Sequence, residues 1–261
     1  LNIFHIIMPV RRIQMAKCIS INEIGGPDVL NYHDIDVGSL ETGHVKLRHT
    51  AIGLNYIDIY FRTGLYPIDK FPQTLGMEAA GIIESIGPEI TNFNIGDRVA
   101  YPMSIGAYSS ERNIEASKLV KIPNNITDKN AAAIMLKGLT AYYLLHRTYR
   151  VMADDYILVY AAAGGVGSIL CQWAKSLSAR VIGCVGSSKK AEIAKNNGCD
   201  FPILYKSENV AECVKEITQG QGVSVAYDSV GENTLNSSLD SLKTFGTLVS
   251  FGNSSGTIKN F

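Results

Sequence analysis

The chain has 261 residues, enough for two domains or one large one, and its 46% hydrophobic and 18% charged residues are typical of a globular protein. Its 24 basic and 24 acidic residues balance without a long run of like charge, which argues against a broad nucleic-acid-binding face or an anchor to an anionic membrane. Five scattered cysteines without a C-x-x-C pair argue against a disulfide framework and a zinc knuckle, and they favour a reducing, cytoplasmic compartment.

The N-terminal segment is apolar over residues 1–10 and is followed, rather than preceded, by Arg11 and Arg12. A secretory signal has the opposite order of charge and apolar core. We therefore predict an N-terminal extension over residues 1–14 and the start of the first domain at Met15, just before a strand at residues 18–21. No later stretch predicts a transmembrane span.

Short β-like runs separated by Gly, Pro and Asn fill the chain up to residue 127. The clearest predicted strands are residues 45–52, 80–86, 98–101 and 108–114. Turn signals lie at residues 25–27, 87–88 and 123–125. The pattern predicts a β-rich domain over residues 15–127.

Helix and strand patterns alternate from residue 128 onward. The predicted strands are residues 156–160, 180–185, 201–204, 223–228 and 246–251. The predicted helices are residues 128–149, 168–177, 189–197, 207–218 and 234–242. Such alternation predicts an α/β domain over residues 128–261, with a parallel sheet covered on both faces.

A glycine-rich turn at residues 161–167 separates the strand at 156–160 from the helix that follows. A dinucleotide needs this arrangement, because its pyrophosphate must approach bare backbone at a helix N-terminus. Gly164 would allow a tight turn, Gly165 would let the diphosphate approach, and Gly167 would let helix and strand pack closely. Alanine replaces the first glycine of the usual G-x-G-x-x-G pattern, and a plain small-residue turn is the alternative.

The residues that follow the second strand of this domain indicate which dinucleotide binds. An NAD enzyme places Asp or Glu there to bind the ribose 2′-hydroxyl, whereas this chain has Gly186, Ser187 and Ser188, then Lys189 and Lys190. Small hydroxyl groups and cations suit a 2′-phosphate, so we predict NADPH. The alternative is that the two lysines are solvated residues at the start of the next helix.

Eight separated stretches together resemble the NADPH-dependent quinone oxidoreductases of the zinc-free branch of the medium-chain dehydrogenase/reductase superfamily. They are GGPDVL (25–30), GLNYID (53–58), RTGLYP (62–67), GMEAAG (76–81), KGLT (137–140), AAAGGVG (161–167), YDSVG (227–231) and VSFGNSSG (249–256). The resemblance implies a GroES-like β-rich substrate domain followed by a Rossmann domain with a doubly wound parallel sheet, with the active site in the cleft between them.

The resemblance also places Asn55 and Met77 where zinc-dependent members have Cys and His ligands. An amide and a thioether are poor zinc ligands, so we predict no metal. Hydride transfer to a quinone then needs orientation and hydrogen-bond donors, for which the resemblance implies Asn55, Tyr60 and, in the same pocket, Tyr66. As alternatives, Asn55 is a turn residue and Tyr60 a packing aromatic.

The cofactor-binding residues implied by the glycine turn, the missing acid and the resemblance fall along the second domain. They are Thr140, Gly164, Gly165, Val166, Gly167, Gly186, Ser187, Ser188, Lys190, Tyr205, Phe251, Gly252 and Asn253. Thr140 and Val166 would lie along the phosphates and ribose, and Tyr205 near the adenine, unless it is a surface aromatic. Phe251 to Asn253 would approach the nicotinamide.

Members of the resembled family continue well beyond the point where this chain stops, at Phe261. The part missing by this comparison would supply a sixth strand, which pairs across the family's homodimer, and a return segment to the substrate domain. We therefore expect an incomplete Rossmann domain, which argues against a dimer here and predicts marginal stability and poor activity.

Three functions stay open from the sequence. The first is an NADPH:quinone oxidoreductase that transfers hydride to a small-molecule quinone without a metal. The second is an NADPH-dependent reductase of enones or other double bonds, which would share every cofactor residue. The third is an inactive truncated product or a nucleotide-dependent RNA-binding protein, and the zero net charge weakens the RNA-binding version.

Overall fold

The computed structural model describes residues 15–259, so the predicted N-terminal extension over residues 1–14 lies outside the described residues. The described chain forms two compact units, the first ending at Met135 and the second beginning at Leu136. This division falls inside a helix, Asp128–Tyr143, whose first residue follows the predicted domain boundary. Over residues 15–259, no helix combines the length and the apolar character needed to cross a bilayer.

The first unit contains two antiparallel sheets. Its strands are β1 (Ala16–Ile21), β2 (Asn31–Ile35), β3 (His44–Gly53), β4 (Gln73–Thr74), β5 (Glu78–Ile86), β6 (Arg98–Pro102), β7 (Glu111–Glu115) and β8 (Val120–Lys121). The sheet orders are β2-β1-β4 and β7-β3-β5-β6-β8. Val45, Leu47 and Ile83 alternate inward along β3 and β5 and form a buried core with Tyr101 of β6.

One helix of the first unit was not expected from the sequence. Helix α1 (Tyr56–Thr63) follows β3 directly and ends at Gly64, which adopts the left-handed conformation with φ 79°. The predicted strand at residues 108–114 was placed too early, since β7 begins at Glu111. The backbone of Tyr108 and Ser110 instead bonds to Ile19 and His49, which breaks the strand at this point.

The second unit is a parallel five-stranded sheet in the order β11-β10-β9-β12-β13. Its strands are β9 (Tyr156–Tyr160), β10 (Arg180–Val185), β11 (Phe201–Leu204), β12 (Val223–Asp228) and β13 (Leu242–Ser250). Its helices are α2 (Asp128–Tyr143, which begins in the first unit), α3 (Gly165–Ser176), α4 (Ser188–Asn196), α5 (Val210–Ile217) and α6 (Leu235–Asp240). Val159 of β9 packs with Leu170 of α3, and its neighbour Leu158 packs with Val214 of α5, so both faces are covered as predicted.

Four of the five predicted strand ranges in this unit match the structure, whereas the helix ends differ. The predicted helix at 128–149 ends at Tyr143 and continues as a π-helical turn, Leu144–Thr148. Helix α5 begins at Val210, not at residue 207, because the side chain of Asn209 accepts from the N–H groups of Ala211 and Glu212 and fixes the helix start. Strand β13 begins at Leu242, before the predicted residue 246. Its register with β12 shifts between the pair Val223–Leu242 and the pair Val225–Thr247.

Candidate functional site

The turn between β9 and α3 is tight. The N–H of Gly164 donates to the carbonyl of Ala161 at 2.7 Å, and α3 begins at the next residue. Gly165, Val166 and Gly167 therefore belong to the first turn of the helix, which was predicted to begin only at residue 168. Gly164 itself is extended (φ −82°, ψ 178°), a conformation that any residue adopts, so its place in the tight turn does not need the conformational freedom of glycine. The left-handed residue of the turn is Ala161, at φ 50°.

Gly167 lies in close contact with the strand end. A Cβ atom at this position would stand 2.2 Å from the carbonyl oxygen of Ala161 and 2.8 Å from Cα of Ala162. Only a residue without a side chain fits this approach of helix to turn. The role in helix–strand packing predicted for Gly167 agrees with this geometry.

The amino end of α3 is open. Gly164 and Gly165 are exposed, and Gly164 offers no side chain to cap the helix. The first turn of α3 also contains no acidic residue. Because the first N–H groups of a helix have no partner within it, this end favours an anion.

Lys137 of α2 lies over the same turn. A Cβ atom on Gly165 would stand 2.9 Å from both Cδ and Cε of Lys137. Thr140 is one turn further along the same helix face, and its hydroxyl donates to the carbonyl of Leu136 at 2.8 Å. Sequence reasoning selected Thr140 and missed Lys137, although the spacing of three residues between them was an available signal.

A second helix start, that of α4, follows β10. The hydroxyl oxygen of Ser187 accepts from the N–H of Lys190 at 3.4 Å and caps α4, whose first turn holds no acidic residue. Ser187, Ser188 and Lys190 are all exposed. Tyr205 lies beside them, since a Cβ atom on Gly186 would stand 2.9 Å from its hydroxyl oxygen. The structure thus brings five predicted residues together at the carboxyl ends of β10 and β11.

The third predicted group follows β13. Phe251, Gly252 and Asn253 are partly buried, and the N–H of Phe251 donates to the carbonyl of Asp228 at 2.8 Å. A Cβ atom on Gly252 would stand 2.7 Å from the carbonyl oxygen of Ser229, so this loop is packed tightly against the end of β12. All three groups therefore lie at the carboxyl edge of the parallel sheet, where ligands of such sheets bind.

In the first unit, Asn55 is part of a buried polar cluster. Its side-chain Nδ2 donates to Oε1 of Glu78 at 2.7 Å, and its backbone N–H donates to Oδ2 of Asp58 at 2.9 Å. The hydroxyl of Tyr108 donates to the same Asp58 oxygen at 2.7 Å. Asn55 and Asp58 are 6% and 5% exposed and Glu78 is fully buried, so Asn55 is a buried helix cap and not a simple turn residue.

The site tyrosines form an aromatic cluster at α1 and the residues just after it. The rings of Tyr56 and Tyr60 meet edge to face at 5.3 Å between centroids, as do those of Tyr60 and Tyr66. Phe61 contacts Tyr66 in the same way at 5.6 Å. Tyr60 is buried, and its carbonyl accepts from the N–H of Tyr66 at 3.1 Å. The structure therefore brings the rings of Tyr60 and Tyr66 into contact, and a shared quinone pocket stays a prediction.

Burial keeps the Tyr108 hydroxyl of this cluster protonated. Burial, together with the hydrogen bond to the Asp58 carboxylate and the charges of Asp58 and Glu78, raises the pKa of Tyr108 far above its ordinary value. Tyr108 therefore acts as a neutral donor to Asp58. Neighbouring Met77 is also buried, and residues 15–259 contain no group of three or more His, Cys, Asp or Glu side chains arranged for a metal. The absence of a metal stays a prediction.

The imidazole of His49 is expected to make the stability of the first unit depend on pH. Its Nδ1 lies 2.6 Å from the carbonyl of Ser109 and its Nε2 lies 3.0 Å from the hydroxyl of Tyr101, which also accepts from Arg112. Burial outweighs the hydrogen bond to Ser109 and, with the charge of Arg112, lowers the pKa of His49 from 6.5 to about 4. We expect the unfolded chain to take up this proton first, so stability falls by up to about 3 kcal/mol as the pH drops from 6.5 to 4.

Urea unfolding followed by circular dichroism between pH 4 and pH 7 measures this loss. The variant His49→Gln keeps an amide donor and acceptor but does not titrate, so the difference between the two curves isolates the imidazole from the carboxylates. Parallel curves for the two proteins would show that His49 does not cause the loss.

Comparisons with known proteins give one family match for most of the first unit and another for most of the second. Residues 41–153 match the family model of the alcohol dehydrogenase GroES-like domain, and residues 165–261 match that of zinc-binding dehydrogenase. The quinone oxidoreductase of Pseudomonas aeruginosa is 48% identical over 245 residues, which cover 94% of this chain and 75% of that protein. The 2-haloacrylate reductase of a Burkholderia species is 45% identical over 248 residues, which cover 93% of this chain and 74% of that protein.

A solved structure extends the likeness to three dimensions. The crystal structure of Escherichia coli quinone oxidoreductase complexed with NADPH has a TM-score of 0.92 and 46% identity, and it covers 94% of this chain and 76% of that one. The predicted fold, a GroES-like β-rich domain followed by a Rossmann domain, is thereby confirmed. The chain spans about three quarters of the length of these relatives.

Proposed function

Since the chain belongs to the quinone oxidoreductase family of the medium-chain dehydrogenase/reductase superfamily, we propose that it transfers hydride from NADPH to a quinone without a metal. One observation carries this proposal: the open amino end of α3, at Gly164 and Gly165, directly follows a buried parallel strand. Such an end binds a diphosphate through backbone N–H groups and the helix dipole. The direct test is NADPH oxidation by 1,4-benzoquinone. A folded protein that oxidises NADPH with none of several quinones would refute the proposal.

The residues present fit NADPH. Gly165 lets bare backbone lie at the start of α3 beneath the side chain of Lys137, and the first turn of α4, after β10, holds no carboxylate to repel a 2′-phosphate. In this proposal the α3 amino end and Lys137 hold the diphosphate, and Ser187, Ser188 and Lys190 surround the 2′-phosphate. NADPH supplies the hydride, and the residues named here only bind and orient.

Asn55 is proposed as the donor to the acceptor oxygen. Its Nδ2 has two N–H groups, of which one donates to Glu78, and the second can donate to an oxygen on which negative charge develops. Glu78 fixes the amide with nitrogen toward the carboxylate, which determines where that second N–H lies. Tyr60 and Tyr66 are proposed to line the quinone pocket through their packed rings.

Lys190→Glu tests the 2′-phosphate site. A charged hydrogen bond contributes about 1.5–3 kcal/mol, so we expect NADPH affinity to fall about ten- to hundredfold, with NADH affinity changed little. Isothermal titration with both nucleotides measures the selectivity. Lys195→Glu, at the other end of the same helix, is the matched control and should keep the preference for NADPH. Equal effects of the two variants would refute a specific role for Lys190.

Lys137→Met tests the diphosphate site. Both nucleotides share the diphosphate, so we expect NADPH and NADH affinities to fall by the same factor, about tenfold. This pattern differs from that of Lys190→Glu, which affects only NADPH. Lys129→Met removes an exposed lysine near the start of α2 and serves as the control. Unchanged titrations with Lys137→Met would exclude a contact to the diphosphate.

A double-bond reductase is the second candidate, favoured by the identity of 45% to a protein named 2-haloacrylate reductase. It would use the same cofactor residues. A panel of quinones and α,β-unsaturated carbonyl compounds at equal concentration separates the two. Turnover of the unsaturated carbonyl compounds without turnover of quinones would establish the second function.

We propose a cytoplasmic location, because all five cysteines are free thiols and four of them are buried. Fractionation of cells that produce the chain tests it. The resemblance implies a homodimer for family members, whereas we expect none of this chain, and sedimentation velocity at two concentrations tests this expectation.

A further inference from the structure

Asp228, the last residue of β12, is 2% exposed, and its carboxylate is surrounded by donors. Oδ1 accepts from the N–H groups of Val230 at 2.8 Å and Gly231 at 3.1 Å. Oδ2 accepts from the hydroxyls of Thr234 and Ser238, each at 2.7 Å. No ion pair to Asp228 occurs within the described part of the chain. Four N–H and O–H donors therefore surround this buried side chain, and the chain after β12 is folded around it.

The segment that Asp228 holds is attached to the loop after β13. The carbonyl of Val230 accepts from the N–H of Ser255 at 2.8 Å, and the Ser255 hydroxyl accepts from the N–H of Asn233 at 3.1 Å. Gly231 has φ 97°, and a Cβ atom there would stand 2.6 Å from the carbonyl oxygen of Gly256. The two loops are thus in backbone contact, and a shift of one displaces the other.

The second loop begins with the residues proposed to approach the nicotinamide. The N–H of Phe251 donates to the carbonyl of Asp228, and Gly252 has no room for a side chain against Ser229. We infer that Asp228 is a positioning residue, which sets the loop at residues 251–253 and thereby the nicotinamide end of NADPH. This inference rests on the proposed function. It predicts an effect on hydride transfer that is separate from binding of the adenine end, which lies with α4.

A second aspartate offers a matched control in the same unit. Asp155 accepts from the N–H of Met152 at 2.9 Å and from the hydroxyls of Ser224 at 2.7 Å and Tyr149 at 3.2 Å. It precedes β9 and so lies at the amino edge of the sheet, opposite the proposed nucleotide edge. Loss of either network should cost stability, but only Asp228 should affect hydride transfer.

The experiment compares Asp228→Asn with Asp155→Asn. An amide in place of Oδ2 cannot accept from both Thr234 and Ser238, so the held segment shifts. Since a displacement of about 1 Å costs up to about a hundredfold in rate, we expect kcat with NADPH and quinone to fall at least about tenfold. The affinity for 2′,5′-ADP, which lacks the nicotinamide, should change less than about twofold. Asp155→Asn should leave kcat and the affinity for 2′,5′-ADP unchanged when both are expressed per folded molecule.

Two results would overturn the inference: an unchanged kcat, or a loss of 2′,5′-ADP affinity as large as the loss of kcat, which would indicate general loosening. If Asp228→Asn does not fold, Thr234→Val is the second variant, because it removes only one of the donors to Asp228. It should lower kcat by a smaller factor and leave the affinity for 2′,5′-ADP unchanged. If the unsubstituted protein itself binds neither NADPH nor 2′,5′-ADP, the proposed function fails instead.

Discussion

Replacing Gly167 by alanine is expected to destabilise the second unit by at least about 3 kcal/mol. The new methyl group would lie 2.2 Å from the carbonyl oxygen of Ala161 and 2.8 Å from Cα of Ala162. Both are main-chain atoms of the turn that joins β9 to α3, so no side-chain rotation relieves the clash. The only tryptophan of the sequence, Trp173, lies in α3 itself. Its fluorescence should report a midpoint of thermal unfolding lowered by roughly 10 °C.

Gly165→Ala is the matched control two residues earlier. Its methyl group would meet only the flexible end of Lys137, which can move aside. We therefore expect a melting temperature close to that of the unsubstituted protein, but weaker NADPH binding, because the methyl group stands where a diphosphate would approach. A Gly167→Ala protein that melts with the control would refute the packing role of Gly167. Full NADPH affinity in Gly165→Ala would refute the proposed diphosphate position.

The sequence predicts the sheet of the second unit well, because four of its five strands are short apolar runs between clear turn signals. Strands β9, β10, β11 and β12 have the predicted bounds. Parallel strands buried on both faces carry this signal in their composition alone. The helix starts are harder, since single capping contacts such as that of Asn209 determine them.

Features that depend on contacts between distant segments could not be predicted. Lys137 lies over Gly165 because α2 packs beside the glycine turn, and the spacing of three residues from Thr140 indicates a shared helix face but not this packing. The left-handed turn residue is Ala161, although propensity favours a glycine there. Helix α1 depends on local signals instead, but it is short, so its sequence has little room for a helical pattern. It has eight residues, and its main signal is a cap between Asn55 and Asp58 that the sequence does show.

Asn55→Asp is expected to have the largest effect in the first unit. It would replace the donor in the 2.7 Å contact to Glu78 by a second carboxylate, in a place where Glu78 is fully buried. Two carboxylates at this distance cannot both be ionised, so one must take up a proton and its pKa rises. We expect a loss of about 3–5 kcal/mol near neutral pH. The unfolded state releases this proton at a lower pH, so the loss should grow as the pH rises and shrink under acid conditions.

Urea unfolding at pH 5 and pH 8 measures that difference. Asn31→Asp is the control, because Asn31 is exposed and its side chain donates to the carbonyl of Val29 at 3.0 Å, with no other side-chain partner among residues 15–259, and it should change stability little at either pH. An Asn55→Asp protein as stable at pH 8 as the unsubstituted protein would refute the buried contact.

The double variant Asn55→Asp with Glu78→Gln separates stability from chemistry. The hydrogen bond is restored in the reverse direction, since the amide at position 78 can donate to the carboxylate at position 55. Stability at pH 8 should therefore recover most of the loss, and the coupling energy between the two positions should be large. Quinone reduction should stay at least about tenfold reduced, because a carboxylate has no N–H to donate to the developing oxyanion. Recovery of both stability and rate would show that Asn55 serves the fold alone, whereas recovery of stability without rate assigns the amide N–H to the reaction.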